Sequence, residues 1–167
     1  QIFIQACDSV QIIGNTISNC DYMSFQLASN LIISNNSIEQ SDANSSLFAI
    51  YQVDNITIEN NNIQSILAPP SNGSIINNVF TINCKIKNNF IDCNYAKSGI
   101  VITLNTVNNG IYYPNNDTIQ NNTIINTTGY AINVNERSNA FVANNRLLNN
   151  TSGTAIISAY ANLNIVN

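Results

Sequence analysis

The sequence predicts an all-β chain wound as a right-handed parallel β-helix, with about six to seven coils of roughly 22–25 residues each. Three observations predict it. Asparagine recurs at Asn15, Asn36, Asn61, Asn89, Asn122 and Asn145 inside a repeated segment. Apolar residues keep fixed offsets from every one of these anchors. Those offsets alternate with period two, as in a strand with one buried face, and no 3.6-residue helical period runs through the chain.

Three residues before the anchors stand Ile12, Ile33, Ile58, Ile86, Ile119 and Val142, and five before them Val10, Leu31, Ile56, Cys84, Asp117 and Ala140. Only Asp117 breaks the apolar rule. Together these positions make a short strand that shows one face to a core. The anchor and the residue before it (Gly14, then Asn35, Asn60, Asn88, Asn121 and Asn144) mark a corner, because Gly and Asn accept left-handed backbone. Two residues past the anchor, Ile17, Ile38, Ile63, Ile91, Ile124 and Leu147 open a strand on the next side. A further polar column lies six before the anchor, at Ser9, Asn30, Asn55, Asn83, Asn116 and Asn139. The third strand is expected 13 and 11 residues before the anchor, with Met23 and Phe25, Phe48 and Ile50, Ile132 and Val134, and Ala155 and Ile157 facing inward. Asn162, Leu163, Ile165 and Asn167 begin a seventh copy.

Anchor spacings are 21, 25, 28, 33 and 23 residues, and the two long ones hold insertions at 67–71 and 106–115. Helical solenoid repeats and propeller blades are longer than the unit that remains, and the leucine spacing of leucine-rich repeats is missing. Each coil buries only a thin apolar layer, so stability comes from stacking on neighbours. Parallel coils about 4.8 Å apart let identical Asn side chains bond along the stack as ladders, in a rod roughly 30 Å long. The whole of 1–167 reads as one β-helix segment, and both ends read as cuts in a longer chain.

The run Asp117-Thr118-Ile119-Gln120-Asn121-Asn122-Thr123-Ile124-Ile125-Asn126 resembles the parallel β-helix repeats of the pectin-lyase-like superfamily, in the style of its NosD-like and surface-protein branch. The resemblance covers nearly the whole chain and implies fold far more than activity. Members of polygalacturonase type use several Asp and a His, and this chain has no His. Members of pectate-lyase type hold calcium with clustered acids. Here Asp8 and Asp54 share a corner position two coils apart, about 10 Å at one strand spacing per coil, too far to chelate one ion. A periplasmic metal-delivery role of NosD type is disfavoured by the missing His and the single Met, Met23.

Only 8% of the residues are charged, against roughly 25% in a typical domain, so solubility rests on neutral polar groups. Lys and Arg number 5 and the net charge is −4, which excludes the cation clusters of a nucleic-acid binder. No apolar run reaches the ~20 residues of a membrane span. Asp92 with Lys85 and Lys87, and Glu136 with Arg137, are the nearest approaches to charged sites, and both read as solvated surface pairs. No catalytic residues, no metal ligands and no cofactor are expected.

Asn-x-Ser/Thr sequons begin at Asn35, Asn44, Asn55, Asn72, Asn116, Asn121, Asn126, Asn149 and Asn150. Asn35, Asn55, Asn116 and Asn121 fall in corner columns where a ladder engages the amide. Asn44, Asn72, Asn126, Asn149 and Asn150 lie off those columns and are the better glycan acceptors. The four cysteines do not have zinc spacing. Cys84 sits in an inward column, where a buried thiol is its plain reading. Cys7 with Cys20 and Cys84 with Cys93 bracket single coils, so two within-coil disulfides are compatible with an oxidising compartment. Tyr112 and Tyr113, in the second insertion, are the one aromatic pair placed to contact a glycan. The function expected is a non-catalytic extracellular structural or adhesive module of a glycosylated surface layer, sheath or filament. Its partners would be further coils of the same chain, copies of itself, or glycans. A polysaccharide-binding or polysaccharide-degrading protein is the alternative.

Overall fold

The structure, a computed structural model, describes residues 1–41, 46–66, 73–94, 96–103, 116–135, 139–151, 156–159 and 162–166. The insertions expected at 67–71 and 106–115 lie outside them, as do Tyr112, Tyr113 and the Glu136–Arg137 pair. The described residues contain strands and no helix. In chain order the strands are β1 (Ile2–Gln5), β2 (Gln11–Ile13), β3 (Thr16–Cys20), β4 (Met23–Ser34), β5 (Ser37–Gln40) and β6 (Phe48–Glu59). There follow β7 (Asn62–Ser65), β8 (Ser74–Val79), β9 (Lys85–Lys87), β10 (Phe90–Asp92), β11 (Ser98–Thr103) and β12 (Asp117–Gln120). The last are β13 (Thr123–Ile125), β14 (Ile132–Asn135), β15 (Asn139–Ala143), β16 (Arg146–Leu148), β17 (Ile156–Ala159) and β18 (Asn162–Val166).

Every pairing is parallel and joins equivalent positions of successive coils, giving a parallel β-solenoid of about five turns. One sheet stacks β3, β5, β7, β10, β13 and β16. The other has two arms. One arm carries the strands that start each coil (β1, β4, β6, β8, β11, β14, β17), the other those leading into the anchor (β2, β4, β6, β9, β12, β15, β18). The arms merge because β4 and β6, each 12 residues long, run unbroken around the corner between them.

The period-two columns become the core. Ile12, Ile33, Ile58, Ile86, Ile119 and Val142 stand in register across the stack. From Ile33 to Ile119 they are fully buried. Ile38, Ile63, Ile91 and Ile124 do the same in the smaller sheet. Each such side chain contributes about 1.5–3 kcal/mol of burial, and the neighbouring coil supplies most of the cover. Met23 and Phe48 share a register position, as do Phe25 and Ile50, and the rings of Phe25 and Phe48 pack at 6.2 Å. In the last coil the register differs from expectation. Ile156 aligns with inward-facing Ile132 and packs against the core, while Ile157 aligns with Asn133; Ala155 lies outside the described residues.

The corners are made by left-handed residues. Asn35, Asn60, Asn88, Asn121 and Asn144 have φ of 53–56°, with Gly14 at 69° in the same place. The column six before the anchor is also left-handed, from Ser9 (60°) through Asn30, Asn55 and Asn83 to Asn116 (49°). A third left-handed column was not legible. It holds Ala6, Leu27, Gln52 and Phe80, at φ 51–56°, three residues ahead of the second. None of these residues favours that conformation, which costs an L-residue with a Cβ roughly 1–2 kcal/mol. Leu27 is 54% exposed and gains little burial in return. Leu27→Asn is therefore expected to stabilise the fold by about 0.5–1 kcal/mol, read as a higher thermal unfolding midpoint.

Candidate functional site

The most highly organised polar feature is the anchor column. Asn36, Asn61, Asn89 and Asn122 are each only 1–2% exposed, yet every amide is satisfied. In each step Oδ1 accepts two bonds from the Asn one coil earlier, one from its backbone N–H and one from its Nδ2. Asn61 Oδ1 thus accepts from Asn36 N and Asn36 Nδ2, both at 3.0 Å. Asn61 Nδ2 donates back to Ile33 O at 2.9 Å and on to Asn89 Oδ1 at 3.0 Å. The same pattern runs from Asn15 to Asn36 and on from Asn89 through Asn122 to Asn145. All members point the same way. A buried amide is costly unless fully bonded, so each coil completes its neighbour.

A second, solvent-facing ladder occupies the column six before the anchor: Asn83 Nδ2 donates to Asn55 Oδ1 at 3.0 Å, and Asn55 Nδ2 to Asn30 Oδ1 at 3.3 Å. Asn30 Nδ2 and the Ser29 hydroxyl end it on Asp8 Oδ1, at 2.8 and 2.7 Å. Those two bonds, the Ser29 one foremost, hold Asp8 below its usual carboxylate range. A depressed folded pKa means the contribution is present above the unfolded carboxylate pKa and is lost as pH falls through the folded one.

A third ladder holds two sequon asparagines expected to lie off the ladder columns. Asn149 Nδ2 donates to Asn126 Oδ1 at 3.0 Å, and Asn126 Nδ2 to Asp92 Oδ1 at 2.9 Å, so Asn126 and Asn149 are engaged after all. Asp92 is thereby occupied by amides, including Asn94 N at 3.1 Å, rather than by Lys85 or Lys87. Lys87 instead pairs with Glu59 at 3.3 Å, with both side chains about a third exposed and the pair worth little. Conversely, the column just before the anchor is no ladder. Asn35 and Asn121 are exposed, and their side chains are held by nothing stronger than a 3.5 Å contact from Asn35 Nδ2 to Ser34 Oγ. Asn55 is in a ladder as expected, Asn116 and Asn150 have further interactions, and Asn44 and Asn72 lie outside the described residues. Offsets alone could not separate these columns, because Asn is chosen in one for its left-handed backbone and in another for its amide.

Among the described residues the fourth coil places polar side chains in the interior. Where neighbouring coils place Ile50, Val53 and Ile56, the fourth places Asn78, Thr81 and Cys84, all buried. Asp117, 1% exposed, lies in register over Cys84 and accepts its backbone N–H at 2.9 Å. Neither amide atom of Asn78 has a hydrogen-bond partner, although it stands between Ile50 and Ile102. Asn78→Val removes an unsatisfied amide and restores the apolar column. An increase of about 1–2 kcal/mol in unfolding free energy is expected by urea titration.

All four cysteines are free thiols, so neither within-coil disulfide is formed. Cys7 is exposed; Cys20, Cys84 and Cys93 are buried, and burial raises the pKa of all three. Thiol titration should find one fast-reacting group in the folded protein and four after denaturation. Among the described residues no group of three or more His, Cys, Asp or Glu is placed to hold a metal ion. Among the described residues no helix is long and apolar enough to cross a membrane. On the outer face of β4, β6 and β8 lies a shallow hollow of about 120 Å³, lined by Gln26, Ala49, Ile50, Tyr51, Asn77 and Val79. The Tyr51 ring stands edge-on to Phe80 at 5.2 Å.

No protein-family model, no curated protein and no solved structure significantly matches this chain.

Proposed function

We propose that this chain is a non-catalytic structural or adhesive module of a glycosylated extracellular surface protein, a section of a layer, sheath or filament. The observation that carries the reading is the one-directional buried Asn ladder from Asn15 to Asn145. Polar side chains are spent on joining coils to one another, which suits a stiff element that extends by adding coils. Further coils of the same repeat, in this chain or in copies of it, are its natural partners. A right-handed winding is proposed with it, because parallel strand crossovers take that hand almost without exception. The style of repeat is that of the surface-protein branch of pectin-lyase-like solenoids.

The test is to image the full-length native protein and to assay it against neutral and acidic polysaccharides for new reducing ends. Filaments or a lattice without turnover are expected. A dispersed monomer that cleaves a polysaccharide would overturn the reading. A second reading, polysaccharide binding, draws support from the hollow beside Tyr51, where an aromatic face adjoins the Gln26 and Asn77 amides. A Tyr51→Ala variant that loses retention on a polysaccharide column while keeping its fold would favour it.

A further inference from the structure

Two sequons share a geometry that no other described sequon has. In Asn35-Asn36-Ser37 and Asn121-Asn122-Thr123 the middle residue is a buried ladder anchor, 2% and 1% exposed. The residues on either side point outward. Asn35 and Asn121 project from the left-handed corner at φ 56°, while Ser37 and Thr123 open the outer face of β5 and β13. An N-glycan replaces one Nδ2 hydrogen with a bulky sugar. At Asn55, Asn126 and Asn149 that nitrogen already donates to the next rung, at 3.3, 2.9 and 3.0 Å, so a sugar there competes with a ladder. At Asn121 the amide has no such bond to lose, and at Asn35 only the 3.5 Å contact.

We propose that Asn35 and Asn121 are the N-glycan acceptors of this corner. The inference rests on the secreted reading above. The sites stand three coils apart on one edge, about 14 Å at one strand spacing per coil, which leaves each glycan its own lateral space. The bulky neutral sugars would coat a side of a rod that carries few charges, while all three ladders stay intact.

The experiment secretes the full chain from a glycosylating host and maps occupancy by glycopeptide mass spectrometry. Glycans on Asn35 and Asn121 are expected. Ser37→Ala and Thr123→Val should each delete one glycan mass, since they remove the sequon hydroxyl without touching the acceptor or the anchor, and leave the unfolding midpoint within about 2 °C. Glycans confined to the other sequons would overturn the assignment but leave the glycoprotein reading standing. A chain bare at all nine sequons would overturn both.

Discussion

Asn61→Ala should lower the unfolding free energy by about 3–5 kcal/mol, whereas Asn62→Ala, one residue on, should change it by no more than about 0.5. Asn60→Ala should fall between them, near 1 kcal/mol. The three are the same residue type in three environments. Asn61 is 2% exposed, and truncating it leaves Asn36 N–H and one Asn36 Nδ2 hydrogen buried without a partner. Each such orphan costs about 1–3 kcal/mol. Asn60 sits at φ 56°, where alanine is strained but nothing buried is lost. Asn62 is exposed at the start of β7, with its side chain on the outer face. Urea titrations of the three variants check the ranking. Three equal losses would mean that asparagine stabilises this chain only through its backbone preference.

Gly99→Ala should cost about 2–4 kcal/mol. A Cβ on Gly99 would lie 2.6 Å from Ile124 Cγ2 and 2.9 Å from the carbonyl oxygen of Ala131. The first contact is side chain and could yield by a rotamer change. The second is backbone and cannot, because that carbonyl accepts the Ile100 N–H at 2.9 Å and so joins β11 to β14. Relief requires the two coils to part locally, where Ile100 and Ile132 are otherwise fully buried against one another. Thermal unfolding of Gly99→Ala, with exposed Gly14→Ala as a control for backbone strain alone, separates a packing loss from a conformational one. At Gly14, φ is 69° and a Cβ would meet nothing within 4 Å.

The inward columns were legible residue by residue, because one buried face per strand forces a period of two and stacking forces each column to repeat. Ile33, Ile58, Ile86 and Ile119 are buried where their offsets placed them. That asparagine ladders join the coils was legible from the repeat, but which column's amides meet was not, because the column just before the anchor repeats asparagine without forming one. The left-handed column at Ala6, Leu27, Gln52 and Phe80 had no such mark, because its conformation is imposed by the corner and not by the residue. The strand phase of the last coil shows instead in its pairing with β14.

The sequons show the division most clearly. As sequence, Asn35 and Asn126 are interchangeable, and a rule based on offsets put the first in a ladder and the second outside one. Their amides go the opposite way: Asn126 bridges Asp92 and Asn149, and Asn35 faces solvent. The sequence by itself determined that the chain stacks in parallel coils with an apolar interior and an Asn seam, since these follow from periodicity and burial. Only the tertiary structure decided which asparagines are bonded and which are free, because that depends on what the next coil places within 3 Å.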